Sequence, residues 1–240
     1  MESTKLGFVS DAHGNPIGLQ ACLRAFEDHG VNRVWFLGDA VGYLPLGVEV
    51  LRILSARRIP CVLGNHDAML CGVLPLDPVK DEVYGLARQK TLLDASVLSD
   101  MRQWPRRRLL HIGARRLLLV HGSPRDELGD YLYPDSPLDD LSRVEADVIF
   151  AGHGHRPFVR AVGNVTVVGV GSCGLPRDVG GQASCAIYDP SSGAVQLLRV
   201  HFDVARVISE CSAVSTIARS VLDTLQRSAD RSDATEARRG

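Results

Sequence analysis

Pro60-Cys61-Val62-Leu63-Gly64-Asn65-His66-Asp67 is an apolar run that stops abruptly at an amide, an imidazole and a carboxylate in consecutive positions. The run reads as the end of a buried strand, Ile59 to Leu63, and ionisable groups placed there lose hydration. Such groups persist where a metal ion or a reacting ligand offsets that cost. A polar turn with a surface histidine would give the same local pattern. What decides between them is that the construction recurs along the chain.

Towards the amino terminus, Val34 to Leu37 ends in Gly38-Asp39, and Leu6 to Ser10 ends in Asp11-Ala12-His13-Gly14. Between these strands Asn15 suits an N-cap with Pro16 at the first helical position. Leu19, Cys22, Leu23 and Phe26 then share one helical stripe up to Gly30. A second helix is expected from Gly47 to Arg57. Strands separated by single helices pair in parallel through right-handed crossovers.

Towards the carboxyl terminus, residues 77–104 are mostly helical in composition, with Pro75, Pro78 and Pro105 near their edges, and read as an insertion beside the site. Leu109 to Ile112 and Leu117 to Val120 flank Gly113-Ala114, a hairpin whose second strand delivers His121-Gly122-Ser123-Pro124. A loop rich in Pro, Asp and Tyr and a short helix near Leu138 to Val144 lead to Val148 to Ala151, which ends in Gly152-His153-Gly154-His155. Beyond this the pattern turns antiparallel: Phe158 to Val162 and Val165 to Val168 join at Gly163-Asn164, and Ala183 to Tyr188 and Ala194 to Val200 join through Pro190 to Gly193. Val214, Ile217, Ala218, Val221 and Leu225 stand at the spacing of an amphipathic helix packed against the body, and Ser228 to Gly240 reads as a disordered tail. The expected organisation is therefore one domain over 1–210, followed by a helix and tail over 211–240.

With 240 residues and 45 % apolar content, the chain can enclose a substantial core. A formal net charge of −1 gives no basic stripe, and with 5 % aromatic residues it argues against an extended nucleic-acid surface. The cysteines at 22, 61, 71, 173, 185 and 211 form no Cys-x-x-Cys pair and read as reduced thiols. With no signal peptide and no apolar run of membrane-spanning length, a cytoplasmic protein is expected. Oligomeric state is left open.

Asp11/His13, Asp39, Asn65/His66/Asp67, His121 and His153/His155 each follow a strand-like run, and together they hold five of the eight histidines. In open α/β sheets, ligands bind outside the carboxyl ends of strands, so these clusters converge in one place. Any one histidine could be a hydrogen-bonded loop residue; five clusters in this arrangement favour ligation. Carboxylate, imidazole and amide without thiolate suit Mn, Fe, Co, Ni or Zn rather than a structural tetrahedral zinc. Seven side chains exceed the needs of one ion and serve two if a carboxylate bridges, an arrangement used for in-line attack on phosphorus.

The order Asp-x-His, Gly-Asp, Gly-Asn-His-Asp, isolated His and Gly-His-x-His over positions 11–155 resembles the calcineurin-like metallophosphoesterase superfamily. The Asp11-Ala12-His13-Gly14-Asn15 opening, His121 to Asp126, Gly171-Ser172 and Pro176-Arg177-Asp178 look like its small bacterial and archaeal phosphodiesterase-like branch. The resemblance covers about residues 5–205. It implies an α/β fold, a four-layer αββα sandwich with two mixed β-sheets.

It further implies two divalent ions, manganese first among those named. Asp11, His13 and His155 would hold one, and Asn65, His121 and His153 the other. Asp39 would bridge them, with a bridging hydroxide as nucleophile. His66 would contact the phosphate and act as an acid. Asp67 would orient that imidazole or, equally, cap the turn. Asn15, Arg125 and Arg177 are candidates for holding substrate phosphate, the arginines because a guanidinium matches phosphate oxygens bidentately. Two departures stand out. Val170 and Gly169 precede Gly171 where the branch often has Asn-Pro, and Gly154 occupies the middle of Gly-His-x-His.

The implied function is a two-metal phosphodiesterase acting on small or nucleotide-like phosphate esters. The alternatives are a phosphomonoesterase, including a protein phosphatase or dinucleoside polyphosphate hydrolase, and a protein-interaction scaffold like the superfamily's retromer subunit. The complete ligand set with His66 favours the enzyme.

Overall fold

A computed structural model describes residues 5–228. Strand β1 (Lys5–Val9) alternates two faces: Leu6 and Phe8 point between two sheets, while Val9 points outward to the helices. Helix α1 (Pro16–Asp28) starts where expected, with Asn15 Oδ1 accepting from Gly18 N at 3.0 Å. Then follow β2 (Val31–Phe36), α2 (Gly47–Ala56) and the six-residue helix α3 (Asn65–Leu70).

The insertion comprises α4 (Pro78–Tyr84), α5 (Leu86–Lys90) and α6 (Ala95–Arg102). Next come β3 (Arg107–Ile112), β4 (Arg115–Val120), a 3-10 turn over Asp139–Arg143, β5 (Val148–Ala151), β6 (Pro157–Val162), β7 (Val165–Val170), β8 (Gln182–Asp189), β9 (Ala194–His201), α7 (Val204–Ser212) and α8 (Arg219–Leu225).

Among the described residues the strands form two mixed sheets, ordered β2-β1-β8-β9 and β3-β4-β5-β7-β6. β1 pairs in parallel with β2, and β5 in parallel with both β4 and β7; the remaining pairs are antiparallel. The sheets enclose Leu6, Phe8, Trp35, Leu117, Phe150, Val168 and Tyr188. Phe8 stacks on Phe150 with centroids 3.9 Å apart, and burying such a ring stabilises by roughly 1.5–3 kcal/mol. Helices cover the outer face of the first sheet, and the loop with its 3-10 turn covers that of the second through Leu132, Leu138 and Leu141. This is the expected α/β sandwich.

Three expectations need correction. Residues 59–63 form no strand: a single parallel bridge, Phe36 to Cys61, ties them to β2, and Leu63 N turns away to Pro105 O at 2.9 Å. The carboxyl-terminal stripe is not one helix, because Ala218 is extended (φ −59°, ψ 141°) and only Arg219–Leu225 is helical. The sequence reading missed α7, so the boundary drawn at 210 falls inside a helix. Val221 and Leu225 do pack into the main core. The expected tail lies outside the described residues, save Ser228.

Candidate active site

The loops after β1 and β2 remain laced together. Asp11, His13 and Gly14 donate their backbone N–H groups to the carbonyls of Gly38, Asp39 and Ala40 at 2.9, 3.0 and 3.0 Å. The tight path sets Asp11, His13 and Asp39 in left-handed backbone (φ 56°, 47° and 61°), and the β5 loop does the same to His153 and His155 (60° and 57°). L-residues there are uncommon, and the backbone strain costs roughly 1–3 kcal/mol each. Among the described residues only Tyr43 and Arg58 join them outside glycine, so the strain concentrates on the expected ligands.

Two sets of donors result. In the first, Asp11 Oδ1 lies 3.2 Å from His155 Nε2 and 3.7 Å from His13 Nε2, and the two imidazole nitrogens are 3.0 Å apart. In the second, His121 Nε2 faces Asn65 Oδ1 at 3.0 Å, His153 Nδ1 at 3.2 Å and Asp39 Oδ2 at 3.4 Å. Asp39 Oδ2 also lies 3.6 Å from His13 Nε2, so it faces both sets. All seven side chains proposed as ligands are thus brought together, and all but the half-buried Asn65 are at most 6 % exposed.

The tautomers fit a cation. His13, His121 and His155 each turn Nδ1 to a main-chain carbonyl, of Val41, Leu37 and Leu175, at 3.1, 2.8 and 2.6 Å. A carbonyl only accepts, so each Nδ1 carries a proton, and Nε2 is the ring atom turned inward for a cation. The His13 and His155 lone pairs would repel at 3.0 Å without a positive charge between them. Asp11 Oδ1 is buried without a hydrogen bond. These donors suit divalent cations.

Burial opposes ionisation of Asp11, but His155, His13 and His121 outweigh it and hold its carboxyl well below the usual range. Burial likewise opposes the Asp39 carboxylate, and His121 and His66 overcome it, so Asp39 is also lowered. For His121 burial acts downward, yet the Asp39 and Asp11 charges push it up to about 9. Burial takes His66 and His153 down to about 3, and His155 to about 4 against the pull of Asp11.

Asp67 does not orient His66. Its carboxylate accepts backbone N–H bonds from Asp39 (2.7 Å), Ala40 (3.0 Å) and Gly64 (3.2 Å), fixing the turn that carries Asp39. Burial and the Asp39 charge nevertheless push Asp67 up to about 7. His66 Nδ1 has no hydrogen-bond partner and faces Gly42, where a Cβ would lie 2.3 Å away. Gly64 is needed for close approach rather than for turning. Its backbone is extended (φ −92°), and an added Cβ would sit 2.1 Å from Asp39 Oδ1.

Asn15 and Arg125 are committed elsewhere. Asn15 caps α1 and donates Nδ2 to Gly174 O at 2.8 Å. Arg125 donates to Asp140 (2.8 and 2.7 Å), Asp130 (3.2 Å) and the Pro137 carbonyl (2.7 Å), bracing its own loop. Neither is free to hold phosphate.

The chain matches the calcineurin-like phosphoesterase superfamily domain over residues 4–193. It belongs to that superfamily. This phosphoesterase is a metal-dependent phosphoric ester hydrolase. It is 28 % identical to an uncharacterised protein of Methanocaldococcus jannaschii, over 86 % of this chain and 91 % of the relative. A symmetrical bis(5'-nucleosyl)-tetraphosphatase of Ectopseudomonas mendocina is 32 % identical, over 53 % of this chain and 51 % of its own, so the chain spans about half of that relative. The crystal structure of a metallophosphoesterase from Sphaerobacter thermophilus superposes with a TM-score of 0.75 at 25 % identity, covering 93 % of this chain and 98 % of that one. A hypothetical protein from Pyrococcus horikoshii, 18 % identical, shares the fold at a TM-score of 0.80, with the same coverage of both chains.

The sequence reading missed the aromatic rim of the phosphoesterase. Tyr43 and Tyr84 contact the His66 ring at 4.8 and 4.3 Å between centroids, and Tyr131 stacks on His153 at 3.8 Å. These tyrosines are scattered in sequence, and only Tyr131-Leu132-Tyr133 carried a local hint. Arg177, by contrast, stands at this rim, its Nη2 3.5 Å from Tyr43 Oη. Burial acts against its charge, but Tyr43, Tyr131 and Asp11 raise its pKa, and it pairs with no carboxylate among the described residues. No helix among the described residues is long and apolar enough to cross a membrane.

Proposed function

We propose that this protein cleaves the P–O bond of small, nucleotide-like phosphodiesters at a pair of divalent cations, manganese first among the candidates, in the cytoplasm. The observation that carries this reading is Asp39 Oδ2, 3.6 Å from His13 Nε2 in one donor set and 3.4 Å from His121 Nε2 in the other. Asp11, His13 and His155 would hold one ion, Asn65, His121 and His153 the second, with Asp39 shared. When bound, the ions supply charge that polarises phosphoryl oxygens and acidifies the attacking water.

The chain's own residues do the rest. Arg177 neutralises and orients the phosphate from the rim. His66, kept neutral by burial, donates an N–H to the phosphate or leaving oxygen, and an anionic phosphate beside it favours its protonation. Tyr43, Tyr84 and Tyr131, in ring contact with His66 and His153, would offer flat faces to a small molecule at the site.

A second reading, hydrolysis of dinucleoside polyphosphates, is favoured by the similarity to symmetrical bis(5'-nucleosyl)-tetraphosphatases. The test is metal analysis of protein purified without chelator, followed by turnover of aryl diesters, aryl monoesters and diadenosine tetraphosphate under Mn, Fe, Co, Ni and Zn. About two ions per chain and a diester preference are expected. Preference for the tetraphosphate selects the second reading, and no turnover on any substrate removes both.

A further inference from the structure

Tyr131 and Tyr133 are not required by any metal ligand, yet the loop that carries them is firmly fixed against the site. Leu132 between them is 1 % exposed and packs under the second sheet, anchoring the stretch that carries both rings. The rings lie nearly parallel, 9° between planes and 5.8 Å between centroids, and Tyr131 rests on His153 at 25°. Tyr131 thus lies between His153 and Tyr133, and the pair reaches solvent, with Tyr131 39 % exposed and Tyr133 partly exposed.

Three ties hold the loop. Arg125 clamps Asp130, Asp140 and the Pro137 carbonyl, and Arg160 donates to the carbonyls of Pro134 (3.1 Å) and Ser136 (2.6 Å). The third is Gly154, where a Cβ would fall 2.5 Å from the Leu132 carbonyl oxygen, so only glycine lets the loop rest on the turn between His153 and His155. Arg177 Nη2 lies 3.5 Å from Tyr43 Oη, and its charge acts on both Tyr131 and His155.

We propose that Tyr131 and Tyr133 form a stacking platform for a nucleobase, so that the site selects nucleoside-bearing phosphates over base-free ones. The proposal rests on the phosphoesterase reading above and names its substrate class: phosphate on Arg177, base on the tyrosines. Every base has a π-face, so the platform selects for a base without choosing which one.

The test is calorimetric binding of adenosine 5'-monophosphate and ribose 5-phosphate to the metal-loaded protein. The nucleotide should bind about tenfold tighter, the order expected for one stacked base. Tyr133→Leu should remove most of that preference, with the loss falling on the nucleotide, and Tyr133→Phe should restore it. Equal binding of the two probes by the unaltered protein, binding of neither, or a Tyr133→Leu loss shared equally by both overturns the platform. Hydrolysis of phosphodiesters without base preference would sink the platform alone, whereas base preference without turnover of any ester would sink the diesterase reading alone.

Discussion

The floor of the site, Asp11, His13, Asp39, His121, His153 and His155, hangs from strand ends, and three of its imidazoles are tethered to main-chain carbonyls. The rim, Tyr43, Tyr84, Tyr131 and Tyr133, comes from loops and the inserted helix α4 and is held by ring contacts. The floor fixes each donor atom by hydrogen bonds and backbone strain, which suits chemistry that fails with small displacements. The rim offers faces instead of points, which suits choosing among substrates.

The comparison breaks most severely at the residue both donor sets face. Asp39→Asn keeps the shape and the 2.8 Å bond from His66 N but removes the charge. Metal content by mass spectrometry should fall and activity should drop by more than the roughly 100-fold that loss of an indirect partner costs. Next in size is His66→Gln, which should retain the wild-type metal content and lose about 10²- to 10⁴-fold in kcat, read by steady-state kinetics beside metal analysis. If metal leaves with His66, the residue belongs to the floor as a ligand.

Third, the metal-free floor should respond to pH. His121 is raised from 6.5 to about 9, so its contribution is complete below 6.5 and is lost as pH rises through 9. Chelated protein should lose stability across that window in urea titrations, by at most about 3 kcal/mol. The loaded protein should be flat, and its metal affinity should climb over the same range because the cation displaces that proton. The smallest effect is at the rim. Arg125→Ala, in a half-exposed brace, should cost about 1 kcal/mol or less in thermal unfolding and raise KM for nucleotides more than it lowers kcat.

The same division explains what could be read in the sequence. Floor residues directly follow apolar runs, so position along the chain predicts position in space. Rim residues meet only through tertiary packing, and 5 % aromatic content concealed their concentration at one mouth. Arg125 and Asn15 looked like phosphate ligands because sequence shows a donor but not the partners that occupy it. Residues 59–63 looked like a strand since Val62 does face the core between the sheets, yet pairing on one side stops after a single bridge. Val214, Ile217, Val221 and Leu225 keep helical spacing across Ala218, whose extended backbone no apolar pattern reveals.

Asp11 and Asp39 follow strands of one sheet, and His121, His153 and His155 follow strands of the other. A cation held by both is therefore a clamp across the central layer, and it gains nothing until the two sheets have docked. Contacts absent from the folding transition state slow unfolding and leave folding unchanged. Chelation should thus steepen the loss of folded protein in denaturant jumps while refolding proceeds at its former rate, making the catalytic centre also the latch that sets the lifetime of the fold.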